Sequence, residues 1–257
     1  MEIVSFGSSS RGNAFLFRTA RTAVLVDAGF SPRFLRDCLL QCGIADHELS
    51  AILVTHEHVD HIRGLSGLLS WHSCPVLATT GTLRALQLDS VKRIVLRQEE
   101  WIEIGDLAFQ AIPVPHDANE PIGLRIATSG ADVAFFTDLG TLTLEVREAL
   151  QRATFAIVEA NHDRHLLEHG PYPPWLKRRI ASRHGHLSND EAAAAACLCG
   201  SQLQGLWLAH LSEENNRPEL ALACVRSRLF PHHDLPVTVL PARGFRRWSL
   251  ENAATVE

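Results

Sequence analysis

The sequence predicts an α/β fold of four layers, two sheets packed together with helices outside. Three observations lead there. Short apolar or alternating runs of strand length recur from one end of the chain to the other. Helical segments with recognisable caps fall between them in both halves. The first half is richest in hairpin-like strand pairs, so the strands need not form one parallel sheet. At 257 residues the chain can bury one large core, and no Gly/Ser linker, low-complexity tract or short repeat divides it. A single domain over residues 1–257 is expected.

In chain order, strands are predicted at Glu2–Phe6, Asn13–Arg18, Ala23–Asp27, Ala51–Thr55 and Val76–Ala78. More follow at Leu107–Val114, Gly123–Thr128, Val133–Thr137, Phe155–Glu159, Gly205–Ala209 and Val237–Leu240. The segment SPRFLRDCLLQCG has Ser31 as N-cap, Pro32 in the first turn and Gly43 as a stop. SNDEAAAAACLCG opens with Ser188 and Glu191 at the spacing of a capping box. NNRPELALACVRSRLF starts near Asn216, with Pro218 in its first turn.

Nearly half the residues are hydrophobic and about a fifth are charged, a globular composition. The amino terminus lacks the pattern of a secretion signal, and no apolar run would span a bilayer. A soluble cytoplasmic protein with no membrane partner is the expectation. None of the six cysteines (Cys38, Cys42, Cys74, Cys197, Cys199, Cys224) shows CxxC spacing, so they are read as small, buried, reduced side chains. The net charge of −5 excludes a global attraction to nucleic acid. Locally, Trp175–His186 carries Lys177, Arg178, Arg179 and Arg183 with no acid, and Ala242–Trp248 carries Arg243, Arg246 and Arg247. Such clusters are as often a solvated face as a binding surface.

The densest chemistry lies in AILVTHEHVDHIRG, where His56, His58, Asp60 and His61 crowd into six residues behind an apolar run. With a strand ending near Thr55, His56 and His58 can reach one ion, while Asp60 and His61, beyond the turn, can point to a second. Imidazole and carboxylate suit zinc, manganese or iron. Further ligands also follow predicted strands: His116 after FQAIPVPH, Asp138 after VAFFTD, and His210 after LWLAH. Asp138 can bridge two cations, and Asp27, ending AVLVD, is placed to orient a ligand histidine or the loop.

THEHVDH followed by His116, Asp138 and His210, with Asp27 ahead of them, resembles the metallo-β-lactamase superfamily over nearly the whole chain. The resemblance implies an αβ/βα sandwich with two metals between the sheets. His56, His58 and His116 would hold one, Asp60, His61 and His210 the other, and Asp138 would bridge them. GSSSRGN, EANHD, GPYPPWLKRRI, GHLSN and HLSEENN are similar to motifs of the WalJ/YycJ family, relatives of ribonucleases Z and J. Ser9 stands where that family's first motif would carry glycine. Glu159 and His186 resemble the pair that such enzymes place beside the scissile phosphate, and His186 lies just ahead of the Ser188 cap, near a helix amino terminus.

The function this implies is a dinuclear-metal phosphodiesterase, a DNA exonuclease of 5′-to-3′ type. A hydroxide bridging two Zn2+ or Mn2+ ions would attack phosphorus. Asp60, Glu159 and His186 would be catalytic, and Lys177, Arg178, Arg179 and Arg183 would track the strand backbone. DNA is favoured over RNA as substrate, and a homodimer would complete a groove. Two other readings use the same residues. A thioester or lactone hydrolase shares every metal ligand, and only the Glu159–His186 pair and the basic segments argue against it. A non-catalytic DNA-binding or regulatory protein would bind DNA without metal-dependent cleavage.

Overall fold

The computed structural model describes residues 1–88, 91–98, 100–229 and 234–250. The first sheet contains β1 (Glu2–Ser9), β2 (Gly12–Arg18), β3 (Ala23–Val26), β4 (Ala51–Leu53), β5 (Val76–Ala78) and β6 (Arg93–Val95) in that spatial order. The second contains β7 (Trp101–Ile104), β8 (Leu107–Pro113), β9 (Ile122–Ala127), β10 (Asp132–Phe136), β11 (Phe155–Glu159), β12 (Leu206–Ala209) and β13 (Val237–Val239). The chain then returns to the first sheet, where β14 (Arg246–Ser249) pairs antiparallel with β1.

Each sheet joins antiparallel hairpins to a parallel run. In the first, β1, β2 and β3 alternate in direction, and β3 through β6 are parallel. In the second, β7 through β10 alternate, and β10 through β13 are parallel. Helices cover the outer faces: α1 (Pro32–Gln41), α2 (Val59–Ile62), α3 (Leu65–Leu69) and α4 (Thr80–Leu86) follow strands of the first sheet. In the second half come α5 (Leu144–Arg152), α6 (Arg164–His169), α7 (Pro174–Ile180), α8 (Asn189–Leu198) and α9 (Pro218–Leu229).

Three apolar cores account for the four layers. Between the sheets, Phe15, Phe17, Val24 and Val26 meet Phe109, Leu124, Phe135 and Ile157, with Phe15 and Phe135 edge to face at 4.9 Å. Outside the first sheet, Leu16, Leu25 and Ile52 pack on Leu35, Leu39 and Leu68. Outside the second, Ala134, Phe136 and Val158 pack on Val146, Leu150, Ala192 and Val225. Successive residues of one strand thus enter different cores, and central strands buried on both faces read as continuous apolar runs.

The capped helices form as their sequences dictate. Ser31 accepts from Phe34 N ahead of α1, and Ser188 and Glu191 complete a reciprocal capping box on α8. Phe230, the last residue of the third predicted helix, lies outside the described residues. The strand prediction omitted β6, β7 and β14. The first two are three- and four-residue edge strands, too short to show a period. The third arises from the Arg243–Arg247 cluster, where Arg247 pairs with Glu2 and Trp248 lies 4.4 Å from the Phe155 ring. Arg246 and Arg247 are therefore part of an edge of the first sheet, while Arg243 lies ahead of it over the Phe34 ring. Among the cysteines only Cys38, Cys42 and Cys74 are buried; Cys197 is exposed, and Cys199 and Cys224 are part-buried, all without disulfides. Ser9 is not among the non-glycine residues with positive φ, so its position does not require glycine's conformational freedom. No helix among the described residues is long and apolar enough to cross a membrane.

Candidate metal centre

Asp27 follows β3, His56 follows β4, His116 follows β8, Asp138 follows β10, Glu159 ends β11 and His210 follows β12. Within each sheet these strands run in one direction, so their carboxyl ends open on a common edge, where α/β folds collect functional groups. Two of the residues leave their strands in left-handed backbone, Asp27 at φ 61° and His210 at φ 55°. Such a conformation carries a cost for a non-glycine residue and persists where its surroundings hold it. The Asp27 carboxylate accepts from Thr55 N at 2.9 Å, while His210 N donates to Ser8 Oγ at 2.9 Å.

The turn bearing His58, Asp60 and His61 is pinned from beneath. Ala28 N donates to His61 O and Gly64 N to Ala28 O, each at 2.7 Å. Gly29 permits this approach: a Cβ there would lie 1.6 Å from Asp60 O. The crowding at residues 56–61 thus depends on a glycine that sequence reasoning did not single out.

Around the turn, His56 Nε2 lies 3.0 Å from His58 Nδ1, which lies 3.3 Å from His116 Nε2. On the other side, Asp60 Oδ2 is 3.5 Å from His61 Nε2 and 3.4 Å from His210 Nε2. Asp138 stands between the two sets. Its Oδ1 is 3.5 Å from His116 Nε2, and its Oδ2 is 3.0 Å from His61 Nε2. In each of the two sets, one ligand atom per residue lies within 4.8 Å of the others.

The donor chemistry fits divalent cations. His61 donates its Nδ1–H to Asp27 at 2.8 Å, so a neutral ring turns its Nε2 lone pair toward Asp138 Oδ2. That buried oxygen accepts no well-formed hydrogen bond. Two lone pairs facing each other at this distance repel unless positive charge stands between them. His116 likewise directs Nδ1 to Gly185 O at 3.1 Å, leaving Nε2 for the centre.

Electrostatics divide the site in the same way. Burial, reinforced by the neighbouring histidines, lowers His56 well below the ordinary imidazole value, and burial and His186 lower His116. These rings are neutral, the form that ligates metal. Burial also opposes charge on His61 and His210, yet the surrounding carboxylates prevail. His61 is raised well above its usual value by Asp27, Asp138 and Asp60, and His210 to about 10 by Asp138, Asp60 and Glu159. Despite their own burial, Asp60 and Asp138 are held far below the carboxylate range by these imidazoles. The carboxylates concentrate positive charge here, as protons or as a divalent cation.

Glu159 is fully buried and saturated with donors. Its Oε1 lies 2.8 Å from both His186 Nδ1 and His210 Nδ1, and its Oε2 accepts from Leu139 N and Leu187 N at 3.0 Å each. His186 and His210 hold it below its usual pKa against the opposing effect of burial. Sequence reasoning placed His186 near helix amides that would favour an external anion. The amides there already serve the chain's own acids, Leu187 N donating to Glu159 and Ser188 N to Glu191. His186 is oriented by a carboxylate and keeps 18% of its side chain exposed, 3.7 Å from Asp138.

The four basic residues do not act as a unit. Arg179 pairs with Asp117 at 2.5 Å, and Asp117 Oδ1 is 3.5 Å from His116 Nε2, so this cation stands at the rim. Lys177 donates to Glu168 O at 2.7 Å. Lys177 and Arg178 line a separate cavity of about 360 Å³ with His162, Arg164 and Leu167. Arg183 is exposed in the loop beyond α7, its carbonyl packed under Gly140.

Asn13 is a site residue that sequence reasoning missed. It is buried, with Nδ2 3.4 Å from Asp60 Oδ2 and 3.2 Å from His61 Nε2. The signal was its place at the end of GSSSRGN, whose Ser8 hydroxyl donates to the Asn13 side chain at 2.8 Å.

Residues 22–210 match the beta-lactamase superfamily domain family. The exodeoxyribonuclease WalJ of Streptococcus pneumoniae is 33% identical over 222 residues, covering 83% of this chain and 82% of WalJ. The exodeoxyribonuclease YycJ of Bacillus anthracis is 34% identical over 220 residues, covering 83% of each. The metallo-β-lactamase fold protein YhfI of Bacillus subtilis superposes with a TM-score of 0.74 at 17% identity, over 96% of this chain and 99% of its own. This chain belongs to the metallo-β-lactamase superfamily, in its WalJ/YycJ-like branch, and is a metal-dependent hydrolase.

Proposed function

We propose that this protein is a phosphodiesterase dependent on two divalent metal ions, a DNA exonuclease of the 5′-to-3′ type. The observation that carries the reading is the carboxylate Glu159, buried and shared by His210 and His186. It couples a candidate metal ligand, His210, to an imidazole that keeps 18% of its side chain exposed and lies outside the two sets described above. A hydrolase of small esters has no evident use for that second imidazole, whereas a phosphoryl group has oxygens to neutralise. WalJ and YycJ, about one third identical to this chain, are named exodeoxyribonucleases.

Held by His56, His58 and His116 on one side and by Asp60, His61 and His210 on the other, with Asp138 between them, two Zn2+ or Mn2+ ions would supply an activated water and neutralise the phosphoryl oxygens. Asp27 and Gly185 O keep His61 and His116 in the tautomer and orientation required. Asp60, with 20% of its side chain exposed, orients the attacking water or accepts its proton. His186, fixed at Nδ1 by Glu159, turns the rest of its ring to the opening, where it stabilises the phosphoryl oxygens or protonates the leaving oxygen. Arg179 exchanges Asp117 for a strand phosphate at the rim.

The test is cleavage of 5′-labelled and 3′-labelled DNA duplexes by protein stripped of metal and reloaded with zinc or manganese. Stepwise, metal-dependent release of nucleotides from the 5′ end is expected. No cleavage with both metal sets filled, together with turnover of a thioester or lactone, would replace this reading.

A further inference from the structure

Four of the five tryptophan rings have an aromatic or cationic partner. Trp71 lies under the Arg36 guanidinium at 4.9 Å and Trp101 under Arg125 at 5.1 Å. Trp207 and Trp248 pack against Phe155 at 5.1 and 4.4 Å. The fifth, Trp175, is 61% exposed and has no ring or cation partner among the described residues. A single exposed apolar side chain is ordinary; the position of this one is not.

Trp175 lies on α7 four residues before Arg179, so both occupy one face of the helix, about 6 Å apart. Arg179 is the cation pinned by Asp117 beside His116, which places Trp175 one turn outward from the rim of the centre. The segment from Trp175 to His186 holds Lys177, Arg178, Arg179 and Arg183 and no acid. Pro173 occupies the N-cap position and Pro174 the first turn, so the ring restraints set the backbone beneath the indole in advance. An indole face one turn from a cation held at the rim matches a strand that alternates flat bases with phosphates.

We infer that Trp175 is a stacking platform for a nucleobase of the substrate strand just beyond the nucleotide at the metal centre, with Arg179 meeting the adjoining phosphate. The inference rests on the phosphodiesterase reading and adds how the strand is gripped. Stacking accepts any base, so the platform confers affinity without sequence preference.

The experiment compares metal-loaded wild type, Trp175→Ala and Trp175→Phe on three readouts. These are KM and kcat for short DNA duplexes, turnover of bis(p-nitrophenyl) phosphate, and fluorescence of 2-aminopurine placed at successive positions from the DNA end. Trp175→Ala should raise KM for DNA roughly 5- to 100-fold, the loss of one base stack, with kcat unchanged. Trp175→Phe should recover most of that loss. Turnover of the small diester, which does not reach α7, should equal that of wild type. Binding to wild type should alter 2-aminopurine fluorescence at one position, and Trp175→Ala should abolish that change. An unchanged KM with no position-specific change overturns the inference even if DNA is cleaved. If the wild type cleaves no DNA, the functional reading falls and the fluorescence of bound DNA decides alone. A change lost in Trp175→Ala supports the platform, and no change, or binding that instead needs another protein, overturns it.

Discussion

His56, His58, Asp60 and His61 come from one six-residue turn behind β4, whereas His116, Asp138, Glu159, His186 and His210 come from five separate segments spread over residues 116–210. The first group is brought together by local geometry, a strand end, a short helix and the space left by Gly29. In the second group His116, Asp138, Glu159 and His210 converge because β8, β10, β11 and β12 are aligned in one sheet, and His186, in the loop between α7 and α8, is held there by Glu159. The electrostatics follow a different line. The neutral rings, His56 and His116, and the proton-attracting rings, His61 and His210, each include one member from either group. Assembly is divided by sheet, but chemistry is divided by which carboxylates a ring faces.

The largest expected effect tests whether the turn is indispensable. Asp60→Ala should lower metal content, read by plasma mass spectrometry, and reduce hydrolysis to background. A fully active variant would dissolve the distinction between the two groups and with it the dinuclear mechanism. His186→Ala probes the dispersed half, where kcat on phosphodiesters should fall by about 10²-fold with metal content near wild type. Loss of metal from that variant would make His186 a ligand and its pairing with Glu159 incidental.

Smaller effects separate orientation from ligation. Asp27→Asn keeps the shape beside His61 but weakens the acceptor for its Nδ1–H, so affinity for zinc should fall about 10- to 100-fold in chelator competition. An unchanged affinity would show that the turn orients His61 unaided. Gly29→Ala places a methyl against the Asp60 carbonyl and should destabilise the protein by about 1–3 kcal/mol in urea unfolding. If stability were unaffected, the turn would not depend on that approach.

An effect confined to acid pH concerns His162, which lies beside the dispersed half and which burial lowers from 6.5 to about 4. Between those values the unfolded chain takes up a proton that the folded protein refuses. This group therefore removes stability as pH falls through that window and leaves it unaffected above 6.5. The full loss is about 3 kcal/mol at most. Urea unfolding at pH 7, 6 and 5 should show a shallower acid decline for His162→Gln than for wild type, and equal declines would remove His162 from the account.

Much of this was legible in the residues. Central strands buried on two faces declare themselves as apolar runs, and the Ser31 and Ser188 caps mark their helices. The THEHVDH turn is legible because its candidate ligands are neighbours in sequence. Edge strands β6 and β7 are not, since their alternation of exposed and part-buried residues runs for only three or four positions. Nor was the fate of the arginines: the Arg246–Arg247 cluster became an edge strand, and Lys177 and Arg178 turned away from Arg179.

By itself, then, the sequence determined which groups are available and where each leaves its strand, because strand ends and helix caps follow from local pattern. Tertiary structure alone decided that Asp138 faces both histidine sets, that Glu159 joins His186 to His210, that Asn13 reaches Asp60 and that Trp175 stands free. Those relations depend on the register and stacking of two sheets. No local pattern carries them, because the partners meet across strands far apart in the chain.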